Sequence, residues 1–334
     1  MTLKDRAVER VYAIKQRAWR EKRERYREAG RHPPVSARVL VRMDAGIGNA
    51  VEATPLVQAV RALWPRVHLT IVPPAGDLFA DWNVVDAIVR PDELAGKSFD
   101  STFVTWSAEE PGDSPLFTPG EVYRAQGLFP QWQLRPEREV NLDIARKLGF
   151  DGLTPPLYVS LREPDDKPPA AARRIAIAPG GKPVHRWRHK RWPHYAELIH
   201  KLVVLYPDVQ IRLIGNADDE IGGALRDTQR IVDLRGRHTL RETAWILRNS
   251  DLVIGNDCGP MHVADAVLAR TLVLFGPTCE LKNGPRYRGV TLSADAACSP
   301  CQYDDALLNS CADPVCMRTL TVDAVLAAAR KLLG

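Results

Sequence analysis

The chain has 334 residues, of which 45% are hydrophobic and 26% charged, and this composition is ordinary for a globular protein long enough to hold two cores. No run approaches the roughly 18 apolar residues of a membrane-spanning helix, and no apolar segment typical of a secretory signal follows the N-terminus, so we expect a cytoplasmic protein. The net charge is +5, and residues 1–31 carry 11 Lys and Arg against 5 Asp and Glu; the balanced remainder argues against a nucleic-acid-binding surface.

The basic N-terminal segment, residues 1–35, is predicted to contain a helix. Residues 3–28 have no Pro or Gly and are rich in Arg, Glu, Lys and Ala, with apolar side chains three or four positions apart. Gly30 and Pro33 end this pattern. Two interpretations stay open: a solvated helix packed on the main body, or a basic amphipathic helix on anionic lipid headgroups, peripheral at the inner face of the cytoplasmic membrane.

Residues 36–160 are predicted to form a first α/β domain. Short apolar runs alternate with helical patterns, and this order predicts a parallel sheet covered by helices. The expected strands are 38–42, 68–72, 84–89 and 99–104, and the expected helices are 50–63 and 139–148. Residues 105–137, which hold several Pro, Gly and aromatic residues, are interpreted as long loops of the kind that carry a binding surface.

Residues 161–334 are predicted to form a second α/β domain, joined to the first through a Pro-rich linker at 151–172. The expected strands are 174–178, 210–214, 252–254 and 271–275, and the expected helices are 193–205, 217–229, 240–249, 259–267 and 321–333. Two such units predict two Rossmann-like domains with a cleft between them. Ligands of these sheets bind beyond the carboxyl ends of the strands.

The strongest motif is Gly-Asn-Asp-Cys-Gly-Pro-Met-His at residues 255–262, which follows a predicted strand and opens a helix. The free N–H groups and the dipole of a helix N-terminus suit a phosphate. Gly259 allows close approach of the backbone, and Pro260 fits the first helical turn. Asp257 is then placed to accept hydrogen bonds from sugar hydroxyls. The structural alternative makes Asp257 the N-cap and His262 a core residue.

A second motif is a loop rich in cations. Gly180, Gly181 and Lys182 follow a predicted strand, and residues 185–193 add several His, Arg and Lys side chains. Such a loop suits a diphosphate, because it offers several positive charges. Lys190 is expected to neutralise charge on a departing nucleotide diphosphate. The alternative is a solvated basic loop.

The glycine loop Gly46-Ile47-Gly48 is a weaker motif. The dinucleotide fingerprint Gly-x-Gly-x-x-Gly requires a glycine at position 51, where this chain has Val51. The departure counts against an ordinary nicotinamide-binding domain.

Taken in this order, the motifs resemble those of the lipopolysaccharide heptosyltransferases and their relatives, glycosyltransferase family 9. The resemblance covers roughly residues 38–330 and is most specific at residues 257–262 and at Phe-Gly-Pro-Thr, residues 275–278. Further matching stretches are 40–65, 190–193 and 215–220.

The resemblance implies a GT-B fold, with the acceptor bound mainly by the first domain and the donor by the second. It also implies a metal-independent, inverting transfer of a sugar from ADP-heptose to a hydroxyl of a lipopolysaccharide-type glycan, another surface glycan or a protein. By position, Lys190 contacts the diphosphate, Asp257 binds the sugar, and Asp219 or Glu220 lies near the ribose. The expected donor site is Gly180, Lys182, Arg188, Lys190, Asp219, Glu220, Asp257, Gly259, Pro260, Met261 and His262, and the expected acceptor-side loop is Gly46, Gly48 and Asn49.

One departure from the family concerns the general base. The first loop of the family normally ends in Gly-Asp, whose carboxylate is the expected base, whereas this chain has Gly48-Asn49. An amide cannot accept a proton at neutral pH. Asp44 is the favoured replacement and Glu52 is another candidate, while Asn49 is expected to orient the acceptor. Asp44, Asn49 and Lys190 therefore form the expected catalytic set.

Four of the six cysteines cluster near the C-terminus: Cys298, Cys301, Cys311 and Cys316. Four thiolates at this spacing suit a tetrahedral Zn or Fe ion in a structural role. Relatives often carry cysteines in this region, and one branch of the resembled family holds iron there. Metal-free thiols and a disulfide are the alternatives.

Three functions stay open on the sequence alone. An active glycosyltransferase is favoured. A sugar-nucleotide-binding or scaffold protein that has lost catalysis is the second, and Asn49 motivates it. The third is another GT-B enzyme, such as a sugar-nucleotide epimerase.

Overall fold

The computed structural model describes residues 37–43, 46–108, 117–125, 135–181, 185–225 and 230–334. The chain divides into two compact units, residues 1–157 and 158–334. The predicted N-terminal helix lies outside the described residues, and so do Asp44 and Lys182.

The first unit is built on a parallel sheet. Its described strands are β1 (Arg38–Arg42), β2 (His68–Val72), β3 (Ala87–Ile88), β4 (Ser101–Val104) and β5 (Glu121–Arg124). They lie in the order β3-β2-β1-β4-β5, and every pair is parallel. The strand order reverses between β1 and β4, and ligands of such sheets bind at this topological switch point.

Two long helices accompany this sheet, α1 (Ile47–Leu63) and α2 (Glu137–Lys147), together with 3₁₀ turns at Gly76–Phe79 and Pro91–Leu94. Helix α1 is buried on nearly every side, as expected for a helix of low polarity that packs against both a sheet and another helix. The two helices therefore bring their N-terminal turns to the carboxyl end of the sheet.

The second unit repeats the plan with a larger sheet. Its described strands are β6 (Arg173–Ala178), β7 (Val209–Leu213), β8 (Ile231–Asp233), β9 (Leu252–Asn256), β10 (Thr271–Phe275) and β11 (Gly289–Ser293). The order is β11-β10-β9-β6-β7-β8, again with every pair parallel. The switch point lies between β6 and β9.

Within the described residues of the second unit, the helices pack around this sheet. They are α3 (Tyr195–Leu205), α4 (Leu240–Arg248), α5 (Gly259–Ala266), α6 (Glu280–Asn283), α7 (Asp305–Ser310), α8 (Val315–Arg318) and α9 (Val322–Leu333), with a 3₁₀ turn at His185–Lys190. Trp192 and Tyr195 are fully buried in the core, with their rings in an edge-to-face contact at 5.0 Å. Burial of one such side chain stabilises the fold by roughly 2–3 kcal/mol, so the start of α3 is firmly anchored.

The predicted α/β class with parallel sheets is confirmed, and the strands at 38–42, 68–72 and 271–275 have the predicted bounds. The predicted helix at 217–229 is wrong over residues 217–225, which form turns and bends. Gly222 has a φ of +75° there, and this conformation is incompatible with a right-handed helix.

Three strands were missed from the sequence: β5, β8 and β11. All three lie at sheet edges, where only part of each side chain is buried. Edge strands therefore lack the continuous apolar run by which the central strands were recognised. Within the described residues, no helix is long and apolar enough to cross a membrane.

Candidate functional site

The carboxyl ends of β6 and β9 bring two of the predicted motifs together. Parallel pairing places Ala178 beside Gly255, so the loops that follow β6 and β9 start side by side. A Cβ atom on Gly255 would lie 2.6 Å from the Met261 sulfur and 2.8 Å from the Ala178 carbonyl oxygen. Only glycine therefore permits the close packing of β6, β9 and α5 at this point.

Asn256 is fully buried and ties the two loops to helix α3. Its Nδ2 donates to the carbonyl oxygens of Pro179 at 2.6 Å and Gly180 at 3.1 Å. Its Oδ1 accepts from the backbone N–H of Trp192 at 3.0 Å and from the Tyr195 hydroxyl at 2.8 Å. The amide thus makes the four hydrogen bonds that it can form, and it holds the cation-rich loop against β9.

Lys190 and Asp257 form an ion pair at this edge of the sheet. The Lys190 Nζ donates to the Asp257 Oδ2 at 3.0 Å and to the Asp257 carbonyl oxygen at 3.2 Å. The Asp257 side chain is 3% exposed, whereas that of Lys190 is 17% exposed. The ammonium also lies 4.8 Å from the centroid of the Trp187 ring, which favours a cation over the ring face. A partly exposed positive charge is thereby fixed close to the start of α5.

Asn283 and His262 complete the surroundings of Asp257. Asn283 Nδ2 donates to Oδ2 at 2.9 Å, and His262 Nε2 lies 3.5 Å from Oδ1. Burial alone raises the pKa of Asp257, but the Lys190 charge and the contacts with His262 and Asn283 outweigh it and hold that pKa well below its usual range. Asp257 is therefore a charged hydrogen-bond acceptor at neutral pH.

Helix α5 begins at Gly259 and leaves its N-terminus open to an anion. Cys258, in an extended conformation, is the N-cap, so the alternative that Asp257 caps the helix is wrong. The Cys258 side chain makes no capping hydrogen bond, and the first turn holds no acidic residue. The positive end of the helix dipole at this turn suits a phosphate. Burial and the Asp257 charge raise the pKa of Cys258 to about 12, so its thiol is not a nucleophile at neutral pH.

Asp219 lies beside this site and supports the loops that form it. It is 2% exposed, and its Oδ2 accepts from the backbone N–H of Asn216 at 2.8 Å. A Cβ atom on Gly180 or Gly215 would overlap its carboxylate, and Arg191 lies 3.4 Å from its Oδ1. Burial raises the pKa of Asp219, which the Asn216 and Arg191 contacts oppose. The carboxylate thus packs under the two strand-end glycines.

Some of the predicted donor residues meet at the start of α5, and others lie apart from it. Lys190, Asp257, Gly259, Pro260 and His262 meet around the start of α5, with Met261 buried beneath it. Arg188 and Glu220 are exposed, and Lys182 lies outside the described residues. The sequence analysis gave no role to Asn256 or Asn283. Asn283 could have been predicted to lie near Asp257, because it follows β10 and β10 is the strand next to β9.

In the first unit, the predicted acceptor-side loop is partly helical. Helix α1 begins at Ile47, three residues earlier than predicted, so Gly48 and Asn49 lie in its first turn. Gly46 is the N-cap in an extended conformation, and its N–H donates to Asn49 Oδ1 at 3.3 Å. This local hydrogen bond explains why the helix starts early.

Asn49 belongs to a hydrogen-bonded cluster that the sequence analysis did not identify. Its Nδ2 donates to Ser107 Oγ at 3.0 Å and to Glu137 Oε1 and Oε2 at 3.0 and 3.1 Å. Ser107 Oγ donates to Glu137 Oε1 at 2.7 Å. Glu52, the second base candidate, is 2% exposed, and its Oε2 accepts from the backbone N–H of Arg138 at 3.3 Å.

The six cysteines are free thiols. Cys298 is exposed, Cys311 is partly buried, and Cys301 and Cys316 are buried. Burial and the three neighbouring cysteines raise the pKa of Cys316 to about 11. Across the described residues, which include all four clustered cysteines, no group of three or more His, Cys, Asp or Glu side chains is placed to hold a metal ion. The arrangement does not fit a preformed metal site.

Residues 130–310 match the family model described as glycosyltransferase family 9 (heptosyltransferase). The lipooligosaccharide heptosyltransferase 2 of Haemophilus influenzae is 34% identical over 113 residues, which cover 31% of this chain and 31% of that protein. The sequence match thus spans about a third of the length of this relative.

Two solved structures resemble the chain over most of its length. The ADP-heptose lps heptosyltransferase II of E. coli has a TM-score of 0.65 at 18% identity, covering 89% of this chain and 98% of that one. The iron-containing dodecameric glycosyltransferase TibC of enterotoxigenic E. coli has a TM-score of 0.62 at 18% identity, covering 89% and 78%. These likenesses confirm the predicted GT-B fold class.

Proposed function

Because the chain belongs to glycosyltransferase family 9, we propose that it transfers a heptose from ADP-heptose to a hydroxyl of a lipopolysaccharide-type acceptor. One observation supports this proposal most strongly: Lys190 and Asp257 are fixed 3.0 Å apart beside the open N-terminus of α5. A cation and a helix N-terminus bind a diphosphate, and a charged carboxylate beside them binds sugar hydroxyls. The names of the relatives supply the particular donor and acceptor.

In the proposed reaction the donor diphosphate lies at the start of α5, against Gly259 and Pro260. Lys190 stabilises the negative charge that develops as the bond between the anomeric carbon and the diphosphate breaks. Asp257 accepts hydrogen bonds from the sugar. The acceptor oxygen attacks from the face opposite the diphosphate, so the anomeric configuration inverts. The transfer itself uses no metal ion.

The first unit is proposed to bind the acceptor near Gly46, Gly48 and Asn49, as the sequence analysis predicts. Asp44, the base favoured there, lies outside the described residues and stays a prediction. Glu220 and Arg188 are exposed beside the donor site, which allows contacts with the nucleotide, whereas the buried Asp219 supports the loops instead.

The experiment that tests this function is a transfer assay. Purified protein is incubated with ADP-heptose and a lipopolysaccharide that lacks heptose, ADP release is followed, and the acceptor is weighed by mass spectrometry. The proposal predicts ADP release that depends on the acceptor and a mass gain of one heptose residue. UDP-linked and GDP-linked sugars serve as donor controls.

A second candidate function rests on Asn49, which occupies the position of the expected base. A protein that binds sugar nucleotides without transfer would bind ADP-heptose and release no ADP with any acceptor. An epimerase would instead yield an isomerised sugar nucleotide without an acceptor. The transfer assay therefore separates a transferase from the other two functions, and chromatography of the recovered sugar nucleotide separates an epimerase from a binding protein.

We also propose that the basic segment at residues 1–31 holds the protein at the inner face of the cytoplasmic membrane, close to a lipid-linked acceptor. The support is its charge, 11 basic against 5 acidic side chains, since each basic residue near an anionic surface contributes about 1 kcal/mol. Cosedimentation with vesicles that contain anionic lipid, compared with neutral vesicles and with a chain that begins at residue 36, tests this role.

The structural metal predicted at the cysteine cluster is a separate proposal, and it requires the thiols to move together, because they are not placed to hold an ion in this structure. Its chemical basis is the donor set of four thiols, which a bound Zn or Fe ion would deprotonate. Burial and the neighbouring cysteines raise the pKa of two of them, Cys301 and Cys316. Elemental analysis of the purified protein, compared with Cys301→Ser, decides whether a stoichiometric ion is present.

A further inference from the structure

The buried carboxylate of Glu137 lies beside Asn49, the position at which the resemblance leads one to expect a base. Asn49 lies where the resembled family carries its Asp, and an amide cannot take a proton. The Asn49 Nδ2 atom, however, is 3.0 Å from Glu137 Oε1. The carboxylate that the first turn of α1 lacks is thus supplied from the first turn of α2, one hydrogen bond away.

The cluster lies at the switch point of the first sheet. Ser107 follows β4 by three residues, Asn49 lies just beyond the loop after β1, and these two strands are the pair at which the strand order reverses. Ligands of doubly wound sheets bind in this position. The peptide before Ser107 is held in place because the Trp106 N–H donates to Asn141 Oδ1 at 2.7 Å.

Burial separates the roles of the three side chains. Glu137 is 3% exposed, so a substrate cannot reach its carboxylate directly, whereas Ser107 and Asn49 are partly exposed. Ser107 Oγ donates its proton to Glu137 Oε1 at 2.7 Å and accepts from Asn49 Nδ2 at 3.0 Å. A hydroxyl oxygen has two lone pairs. Its second lone pair is therefore available to a proton from outside the cluster.

The charged groups around Glu137 come from both helices. Glu52 on α1 accepts a hydrogen bond from the backbone N–H of Arg138, and the Arg138 side chain is beside Glu139 at 4.0 Å. Arg135, which precedes α2, forms an ion pair with Asp143, which lies in the second turn of the same helix. The first turn of α2 adds the positive end of the helix dipole, which favours a carboxylate at this position.

We propose that Ser107 is the catalytic residue that takes the proton of the acceptor hydroxyl and that Glu137 is the proton acceptor behind it. The acceptor O–H bond breaks and its proton passes to Ser107 Oγ, while the Ser107 hydroxyl proton passes to Glu137 Oε1. The acceptor oxygen uses the electron pair of that O–H bond to form a bond to the anomeric carbon. The bond between the anomeric carbon and the diphosphate breaks, and its electron pair leaves with the diphosphate. Asn49 orients Ser107 through its amide. This inference rests on the proposed function.

The test compares Glu137→Gln and Ser107→Ala with the wild-type chain in the ADP-heptose transfer assay, over a range of pH. Glutamine keeps the shape of Glu137 and one acceptor oxygen for Ser107 but cannot take a proton. General-base catalysis contributes roughly 10²–10⁴-fold, so each variant is expected to lower kcat by at least about 10²-fold. Glu137→Gln should also change the pH dependence of kcat, because it removes an ionisable group from the proton path. Glu139→Gln, which removes a carboxylate from the same helix, is the matched control and should keep the wild-type rate and pH profile.

ADP binding and thermal unfolding of each variant establish that it is folded. If Glu137→Gln does not fold, Ser107→Ala decides alone, because it removes only a hydroxyl from a partly exposed position. A Glu137→Gln variant with wild-type kcat, or an Asp44→Asn variant that changes the pH dependence of kcat while Glu137→Gln leaves it unchanged, would overturn the inference. A wild-type chain that binds ADP-heptose and never releases ADP would instead overturn the proposed function.

Discussion

Replacement of Lys190 by alanine tests two effects of the ion pair at the donor site, one on the stability of the fold and one on the rate of transfer. Its ammonium is 3.0 Å from a carboxylate that is 3% exposed, so its removal leaves a buried charge with fewer partners. Removal of one partner of a fully buried pair costs about 3–5 kcal/mol. Because Lys190 is 17% exposed and Asp257 retains Asn283 and His262, we expect about 2–3 kcal/mol of lost stability.

The effect on rate should exceed the effect on binding. If Lys190 stabilises charge on the departing diphosphate, its contribution is greatest in the transition state, and loss of one such group lowers kcat by roughly 10²–10³-fold. The assay is ADP release from ADP-heptose at saturating donor, at a temperature at which the variant is fully folded. KM for the donor should rise by a smaller factor than kcat falls.

Lys201→Ala is the matched control for this experiment. Lys201 pairs with Asp323 at 2.7 Å on the surface of the same unit and is 39% exposed, and surface pairs contribute about 0–1 kcal/mol. We expect a wild-type rate for the control. A Lys190→Ala variant that is folded and retains the wild-type kcat would refute the role given to this residue.

Three further predictions concern the framework of the donor site. Asn256→Ala should lower the free energy of unfolding by about 3–5 kcal/mol, since it leaves several buried polar groups without partners. Urea unfolding measures this loss, and a loss below about 1 kcal/mol would contradict the role of Asn256 as a bridge between the two loops. The pKa of Asp257 is lower in the folded than in the unfolded chain, so its charge stabilises the fold above about pH 4 and this contribution is lost as the pH falls further. The stability difference between the wild-type chain and Asp257→Asn should therefore narrow below that pH, and a difference that widens in acid would show the sign to be wrong. Gly180→Ala should destabilise the chain by roughly 1–3 kcal/mol, because its Cβ atom would overlap the Asp219 carboxylate. The matched control is Gly181→Ala, whose Cβ atom would meet nothing within 4 Å, and this variant should unfold close to the wild-type temperature. Equal losses of stability in the two variants would contradict the argument.

The sequence predicted the central parts of the fold better than its margins. Strands in the middle of a parallel sheet are covered on both faces, so β1, β2 and β10 are nearly continuous apolar runs and were found with their bounds. The edge strands β5, β8 and β11 bury only part of each side chain and carry no such signal.

The candidate site was likewise predicted only in part. Lys190, Asp257, Gly259 and His262 were predicted because each stands in a short motif beside a strand end, where local chemistry and position agree. The partners that complete the site, such as Asn283, lie far away along the chain. Their contact depends on which strands are neighbours in the sheet, and this order is a property of the whole fold.

The cluster around Asn49 shows a different limit. The missing carboxylate was sought within the same segment, at Asp44 and Glu52, because a sequence displays only local neighbours. Glu137 is 88 positions further along the chain, and it reaches Asn49 because α1 and α2 both start at the carboxyl end of one sheet.

Hydrogen exchange of the backbone in the presence of ADP tests the central claim most directly, because the claim concerns where a diphosphate binds. The account predicts that ADP slows exchange in peptides that contain the start of α5, residues 256–263, and the cation-rich loop, residues 179–192. In the Lys190→Ala variant this protection should require a higher ADP concentration. ADP that binds without slowing exchange in either segment would contradict the account.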